Sequence, residues 1–293
     1  MSGEKQPHAV LILDGAMGTE LERRGFDARL PLWSAWALIE APDLVKQIHA
    51  DYIRAGAQVL TAATFRTTRH TLAKEKLAAW SGELTALAIR LAREAATSAA
   101  QQGEITVAGS IAPLEDCYHP ELTPADEILV REHDYTAKIL AQAGVDILLV
   151  ETQNSAREAE IAARAALGTG LPVWVSLMPR NEREFFNGEL LLPTARRLRD
   201  LGASAILINC CPPNIAAAAF RALRADLTDV RLGVYPNFAA VEGQPWDFSA
   251  KLTPADFAEW ALPLVPETDV LGGCCGTTPE HIAALHRAIS GHK

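Results

Sequence analysis

VLGGCCGTTPEHI, residues 270–282, runs from a short apolar, β-branched stretch through glycines and cysteines into a Pro-led helix start, and so reads as one strand–turn–helix unit. Seven earlier stretches have the same character: VLILDG at 10–15, VLTAATF at 59–65, TVAGSI at 106–111, ILLVET at 147–152, VWVSLM at 173–178, AILINC at 205–210 and LGVYPN at 232–237. Segments of helical periodicity lie between them, among them PDLVKQIHADYIRAG, SGELTALAIRLAREAATSAA, EHDYTAKILAQAG and TARRLRDLG. Strands alternating with helices build a parallel sheet. Near-continuous apolar strands belong to a sheet buried on both faces. Eight such units in 293 residues predict a single (β/α)8 barrel spanning 1–293, in preference to an open doubly wound sheet. No linker, repeat beyond the alternation, or low-complexity tract divides the chain.

Composition narrows the function. Apolar residues make up 49% and charged residues 22%, as in ordinary globular enzymes. A net charge of −9 and a pI near 5.4, without clustered Lys and Arg, argue against nucleic acid as a partner. The opening MSGEKQPHAVLILDG carries no long apolar core behind a basic end, and no run reaches membrane-spanning length, so the expected location is cytoplasmic, with no membrane partner. Of five cysteines, four fall in two adjacent pairs, which suits reduced, metal-holding thiols better than a disulfide framework.

Successive side chains of an extended strand point to opposite faces, so Cys274 and Cys275 can share one point only where the backbone bends. Gly272, Gly273 and Gly276 are expected to supply that bend. A further thiol comes from Cys210 or Cys211 at the end of AILINCC. Three thiolates with one position open are the donor set of a catalytic zinc. Other polar residues also fall at strand ends, Asp14, Thr64, Ser110, Glu151 and Asn237, with Ser176 inside the fifth strand. In a barrel they form a ring at the mouth where active sites sit. Long connections after the first, third, fifth and seventh strands rise over the same mouth, carrying Trp33, Trp36, Phe186, Trp246 and Phe248. Those rings suit a cationic ligand or a simple apolar lid. The plainer alternatives are that Asp14 caps a helix, that the cysteines are small core residues, or that a structural zinc takes Cys211 or His281 as fourth ligand. The helix position of His281 suggests a surface residue, and Cys117, in a loop beside His119, reads as incidental.

DGAMGTELERRG, PLWSA, DYIRAGAQ, VAGSIAP, ETQNSAREAE, the Asn-Cys of LINC and GGCCGTTPEHI together resemble the homocysteine S-methyltransferase family. That family includes S-methylmethionine- and betaine-dependent enzymes and the homocysteine module of cobalamin-dependent methionine synthase. The resemblance runs from about residue 10 to about residue 290. It implies zinc held by Cys210, Cys274 and Cys275, with homocysteine sulfur in the fourth position. It further implies that Asp14 and Glu151 hold the substrate amino group, that backbone amides of Ala16, Met17 and Gly18 receive its carboxylate, and that Ser176 and Asn237 belong to the substrate site. The implied reaction moves a methyl group from S-methylmethionine or S-adenosylmethionine to homocysteine, giving methionine. The alternatives keep the thiol site but change the partner (betaine or another onium donor, a selenol acceptor, a corrinoid protein in trans) or remove turnover, leaving a zinc- or thiol-binding protein. The sequence departs from the family pattern at Ala63, a change that some members share, at Ala112, and at Phe238-Ala239-Ala240, in a loop expected on the donor side.

Overall fold

The computed structural model describes residues 10–99, 103–238 and 252–291; Trp246, Phe248, Ala239 and Ala240 lie outside the described residues. Eight strands run in parallel: β1 (Leu11–Ile12), β2 (Val59–Ala62), β3 (Thr106–Ile111), β4 (Ile147–Gln153), β5 (Val173–Leu177), β6 (Ala205–Asn209), β7 (Arg231–Tyr235) and β8 (Val270–Leu271). Their hydrogen-bonded order is β1-β8-β7-β6-β5-β4-β3-β2, and a parallel bridge between Leu13 and Val59 joins the two ends. The fold is therefore the expected (β/α)8 barrel, with a helix after every strand, the last at Pro279–Gly291.

The strand period of two sorts the side chains. In β4, Leu148 and Val150 face the helices while Leu149 packs inside the barrel; in β6, Ile206 and Ile208 face outward and Leu207 inward. The interior plug contains Leu13, Ala108, Leu149, Trp174, Leu207 and Tyr235. Two residues further along, the same inward columns turn polar, as Ser110, Glu151, Ser176 and Asn209, all buried. An apolar floor thus lies directly beneath a polar ring at the C-terminal mouth.

At the opposite end, even-numbered strands are tied to their predecessors by the polar residue that precedes or opens them. Gln58 accepts from the Ile12 N–H at 3.1 Å, Asp146 from Val107 at 2.7 Å and Asp269 from Leu232 at 2.7 Å, while the Ser204 hydroxyl donates to the Val173 carbonyl at 3.0 Å. These contacts satisfy backbone groups at the strand starts and help fix register.

Helices match the periodic segments, with two starting earlier than the pattern suggested, at Asp126 and Leu191. The first and last strands are shorter than the apolar runs that contain them, because the chain leaves the ladder to build the mouth. Among the described residues no helix is long and apolar enough to cross a membrane.

One buried group makes the barrel acid-sensitive. His49, on the helix Pro42–Arg54, is fully buried with neither ring nitrogen partnered among the described residues, and burial lowers its pKa to about 4. The unfolded chain, with imidazole near its ordinary value, therefore takes up this proton first as pH falls, and stability drops between pH 6.5 and about 4. The expected loss from His49 alone is about 2 kcal/mol between pH 7 and 5. Urea unfolding of the parent and of His49→Leu at both pH values checks it: the pH dependence should shrink by that amount in the variant, and an unchanged dependence would exclude the assignment.

Candidate active site

The thiol loop is fixed by contacts from three neighbours. Beyond β8 the Gly273 N–H donates to the Asp14 carbonyl at 3.1 Å and the Cys274 N–H to the Pro236 carbonyl at 2.9 Å. The Thr277 N–H returns to the Cys274 carbonyl at 3.1 Å, closing a turn. Only Gly276 has positive φ, +83°; at Gly273 the requirement is space, since an added Cβ would lie 2.3 Å from Thr277 Oγ1. The Gly272 backbone is likewise confined by Leu13 rather than bent. The expected bend therefore rests on one glycine, and close packing accounts for the other two.

Cys210 reaches the same point by a different device. Its φ is +50°, a left-handed conformation uncommon for a side-chain-bearing residue. Its sulfur lies 3.9 Å from that of Cys275, and the three sulfurs of Cys210, Cys274 and Cys275 all lie within 4.8 Å of one another. Cys211 turns away into the apolar layer between strands and helices. Contacts among the three thiols act in both directions, and with burial the net effect raises the pKa of each well above its ordinary value.

Two carboxylates share the cavity with the thiols. Asp14 caps no helix; its Oδ2 accepts from the Thr61 N–H on β2 at 2.8 Å. Glu151 accepts from Ser110 Oγ at 2.6 Å and from the Tyr235 hydroxyl at 3.3 Å. Burial raises the pKa of both, and for Asp14 the nearby Glu151 charge adds to the rise. Both acids are buried, and both line the same cavity as the thiols. Thr152, next to Glu151, has φ +58°, an outlier for a β-branched residue, where the β4–β5 register shifts. Asn209 Nδ2 donates to its hydroxyl at 2.8 Å, and Ser176 Oγ donates to Asn209 Oδ1 at 2.7 Å. Ser176 therefore braces Asn209 instead of bordering the cavity. Asn237 Nδ2 lies 3.4 Å from the Tyr118 hydroxyl and 3.9 Å from Cys210 Sγ.

The cavity measures about 100 Å³ and is bordered by Asp14, Trp33, Phe65, Glu151, the three thiols and the turn at Ala16, Met17 and Gly18. Within that turn the Ala16 N–H donates to Thr277 Oγ1 at 3.3 Å. Of the expected mouth aromatics, Trp33 lines the cavity and Phe186 packs near the thiols, whereas Trp36 lies beneath the Arg29 guanidinium at 4.3 Å. Two sequence expectations need correction. Cys117 is not incidental: it is buried, lines the cavity and packs with Cys210 and Cys275. His281 is buried rather than at the surface, its Nε2 on the Leu252 carbonyl at 2.9 Å and its ring stacked on Phe238. Tyr118, 3.9 Å from Cys210 Sγ and edge-on to Phe186, carried no sequence signal beyond its place in a long loop.

This geometry has close counterparts among known proteins. The homocysteine S-methyltransferase family model matches residues 11–289. The homocysteine S-methyltransferase of Escherichia coli is 34% identical over 299 residues, covering 94% of each chain, and homocysteine S-methyltransferase 2 of Zea mays is 30% identical, covering 96% of this chain and 90% of its own length. The structure of the metallated homocysteine methyltransferase MmuM from Escherichia coli superposes with a TM-score of 0.82 at 33% identity, over 97% of this chain and 96% of that one. With the match running nearly end to end in both sequence and structure, the chain belongs to the homocysteine S-methyltransferase family.

Proposed function

We propose that this chain is a zinc-dependent enzyme that moves a methyl group from a small sulfonium donor, S-methylmethionine or else S-adenosylmethionine, to homocysteine, giving methionine. The observation that carries the reading is the placement of three thiols within 4.8 Å of one another in the same cavity as two buried carboxylates. Tetrahedral zinc with Zn–S near 2.3 Å requires sulfurs about 3.8 Å apart. The 3.9 Å between Cys210 and Cys275 fits that donor set. A relative described as metallated adds support for a metal here.

Cys210, Cys274 and Cys275, which line the cavity, would hold the ion. Bound there, zinc would keep the homocysteine sulfur deprotonated and nucleophilic at neutral pH. Asp14 and Glu151 take the substrate ammonium, whose positive charge opposes the burial that raises their pKa and so favours their carboxylate forms. The turn at Ala16, Met17 and Gly18 lies beside the acids, where it meets the substrate carboxylate. Ser176 and Asn237 act one step back, through Asn209 and through Tyr118 and Cys210. Trp33, Tyr118 and Phe186 shield the sulfur from water and offer ring faces to a sulfonium. Transfer is then a direct displacement at the methyl carbon: its bond to the acceptor sulfur forms as its bond to the donor sulfur breaks, and the donor leaves as a neutral thioether. No acid or base is needed at the carbon, in keeping with a cavity whose lining residues include no histidine. We further propose that all 293 residues form one domain and that it works in the cytoplasm, whose reducing conditions keep neighbouring thiols free.

Two measurements test this reading. Protein purified under reduction should carry one zinc per chain and form methionine from homocysteine and S-methylmethionine; Cys274→Ala or Cys275→Ala should lose both metal and turnover while keeping the barrel's circular dichroism. Metal content unchanged in these variants would sink the ligand assignment. Glu151→Gln preserves shape and removes charge, so homocysteine affinity should fall about 10- to 100-fold, the worth of a hydrogen bond to a charged group. An affinity equal to the parent's would remove Glu151 from the ammonium site.

A further inference from the structure

The residues that line the cavity include acids, thiols and aromatics but no Lys, Arg or His. A sulfonium amino acid brings two positive groups, which these residues suit, and one carboxylate, which they do not. Arg66, in the loop that follows β2, comes directly after the lining residue Phe65. We propose that Arg66 receives the α-carboxylate of the methyl donor and so makes the enzyme selective for donors that carry one; the inference rests on the reaction proposed above.

Three observations support it. Arg66 Nε is buried and has no hydrogen-bond partner among the described residues. By contrast the Nε atoms of Arg23, Arg24 and Arg69 each meet a carboxylate within 3.2 Å. A buried guanidinium N–H without an acceptor is costly, and an arriving anion would satisfy it. Second, the guanidinium lies 5.2 Å from the centre of the Phe65 ring, and Phe65 in turn meets Trp33 edge-on at 6.4 Å. A guanidinium laid on an aromatic ring keeps its in-plane donors available for a carboxylate. Its charge also acts on the Cys117 thiol, opposing the larger effect of burial, which places it within electrostatic reach of a second cavity wall. Third, the backbone around it is fixed. The Thr67 N–H donates to the Thr64 carbonyl at 3.2 Å, Ser81 Oγ donates to the Thr67 carbonyl at 2.6 Å, and Thr68 caps the following helix. Arg66 thus stands as a positioned charge on a turn that hydrogen bonds hold, on the side of the mouth formed by β2.

The test compares S-methylmethionine with its carboxamide, which keeps the sulfonium and ammonium and removes the anion. Calorimetric binding and KM are measured for both on the zinc-loaded parent, Arg66→Met and Arg66→Lys. The parent should favour the acid about 10- to 100-fold. Arg66→Met should erase that preference by weakening the acid alone, Arg66→Lys should retain part of it, and zinc content and homocysteine affinity should stay at parental values. An acid-to-amide ratio near one in the parent, or one unchanged by Arg66→Met, overturns the proposal; the parent ratio decides even where a variant fails to fold. Equal methyl transfer from both donors overturns the Arg66 role and leaves the reaction intact. Discrimination in binding without transfer from either overturns the reaction and leaves Arg66 as a carboxylate site, and binding of neither donor overturns both.

Discussion

Three thiols cannot be held within 4.8 Å of one another, largely out of water, as thiolates unless a cation sits among them. The top of the barrel is organised by that constraint. Cys210 arrives from β6 and Cys274 and Cys275 from β8, and β7 between them supplies the backbone that holds both loops. The Cys274 N–H bonds the Pro236 carbonyl, the Phe238 N–H bonds the Cys275 carbonyl, and the Asn237 N–H bonds the Cys211 carbonyl. Neighbouring strands thus place the sulfurs, and the left-handed backbone at Cys210 makes the last adjustment. Strain of this sort persists only where surrounding contacts over-determine it, and here hydrogen bonds from three strand ends do so.

The acids complete an electrostatic logic that the thiols begin. Asp14 and Glu151 come from opposite arcs of the barrel, β1 and β4, and each is anchored by a neighbour's donor: Thr61 N–H for one, Ser110 and Tyr235 hydroxyls for the other. Burial opposes their charge. Buried acids whose charge is opposed by burial would gain from a ligand that brings positive charge, as the proposed substrates do, and the aromatic side chains of Trp33, Tyr118 and Phe186 stand beside the same thiols. Specificity in such a site comes from where the few compensating charges stand.

Much of this was legible in the sequence because barrel geometry converts linear pattern into spatial order. Once eight apolar runs alternate with helices, the residue at each strand's C-terminal end must face the mouth, so Asp14, Glu151, Cys210 and the paired cysteines could be gathered without coordinates. The period of two explains why the polar ring sits above Leu149, Trp174 and Leu207. What stayed hidden depended on loop conformation. Cys117 and Tyr118 lie in a long connection whose fold over the mouth leaves no periodic trace, and the burial of His281 follows from packing against Phe238 and Leu252 after the chain has returned across the barrel. The glycines were read for flexibility, whereas at Gly273 the decisive property is the missing side chain.

The same distinction separates the acceptor half of the site from the donor half. Thiols and acids sit on strand ends, where backbone ladders fix position to within the tolerance that metal coordination and ion pairing demand. The groups expected to meet the donor, Trp33, Phe65, Arg66, Tyr118 and Phe186, stand on the connections after β1, β2, β3 and β5, where length and composition can change without disturbing the ladder. A barrel of this kind can therefore keep one nucleophile and alter the methyl source by changing loops alone. In the reaction proposed here, the charge on the β2 loop would decide which sulfonium compounds enter in the right orientation, while the thiols stay the same.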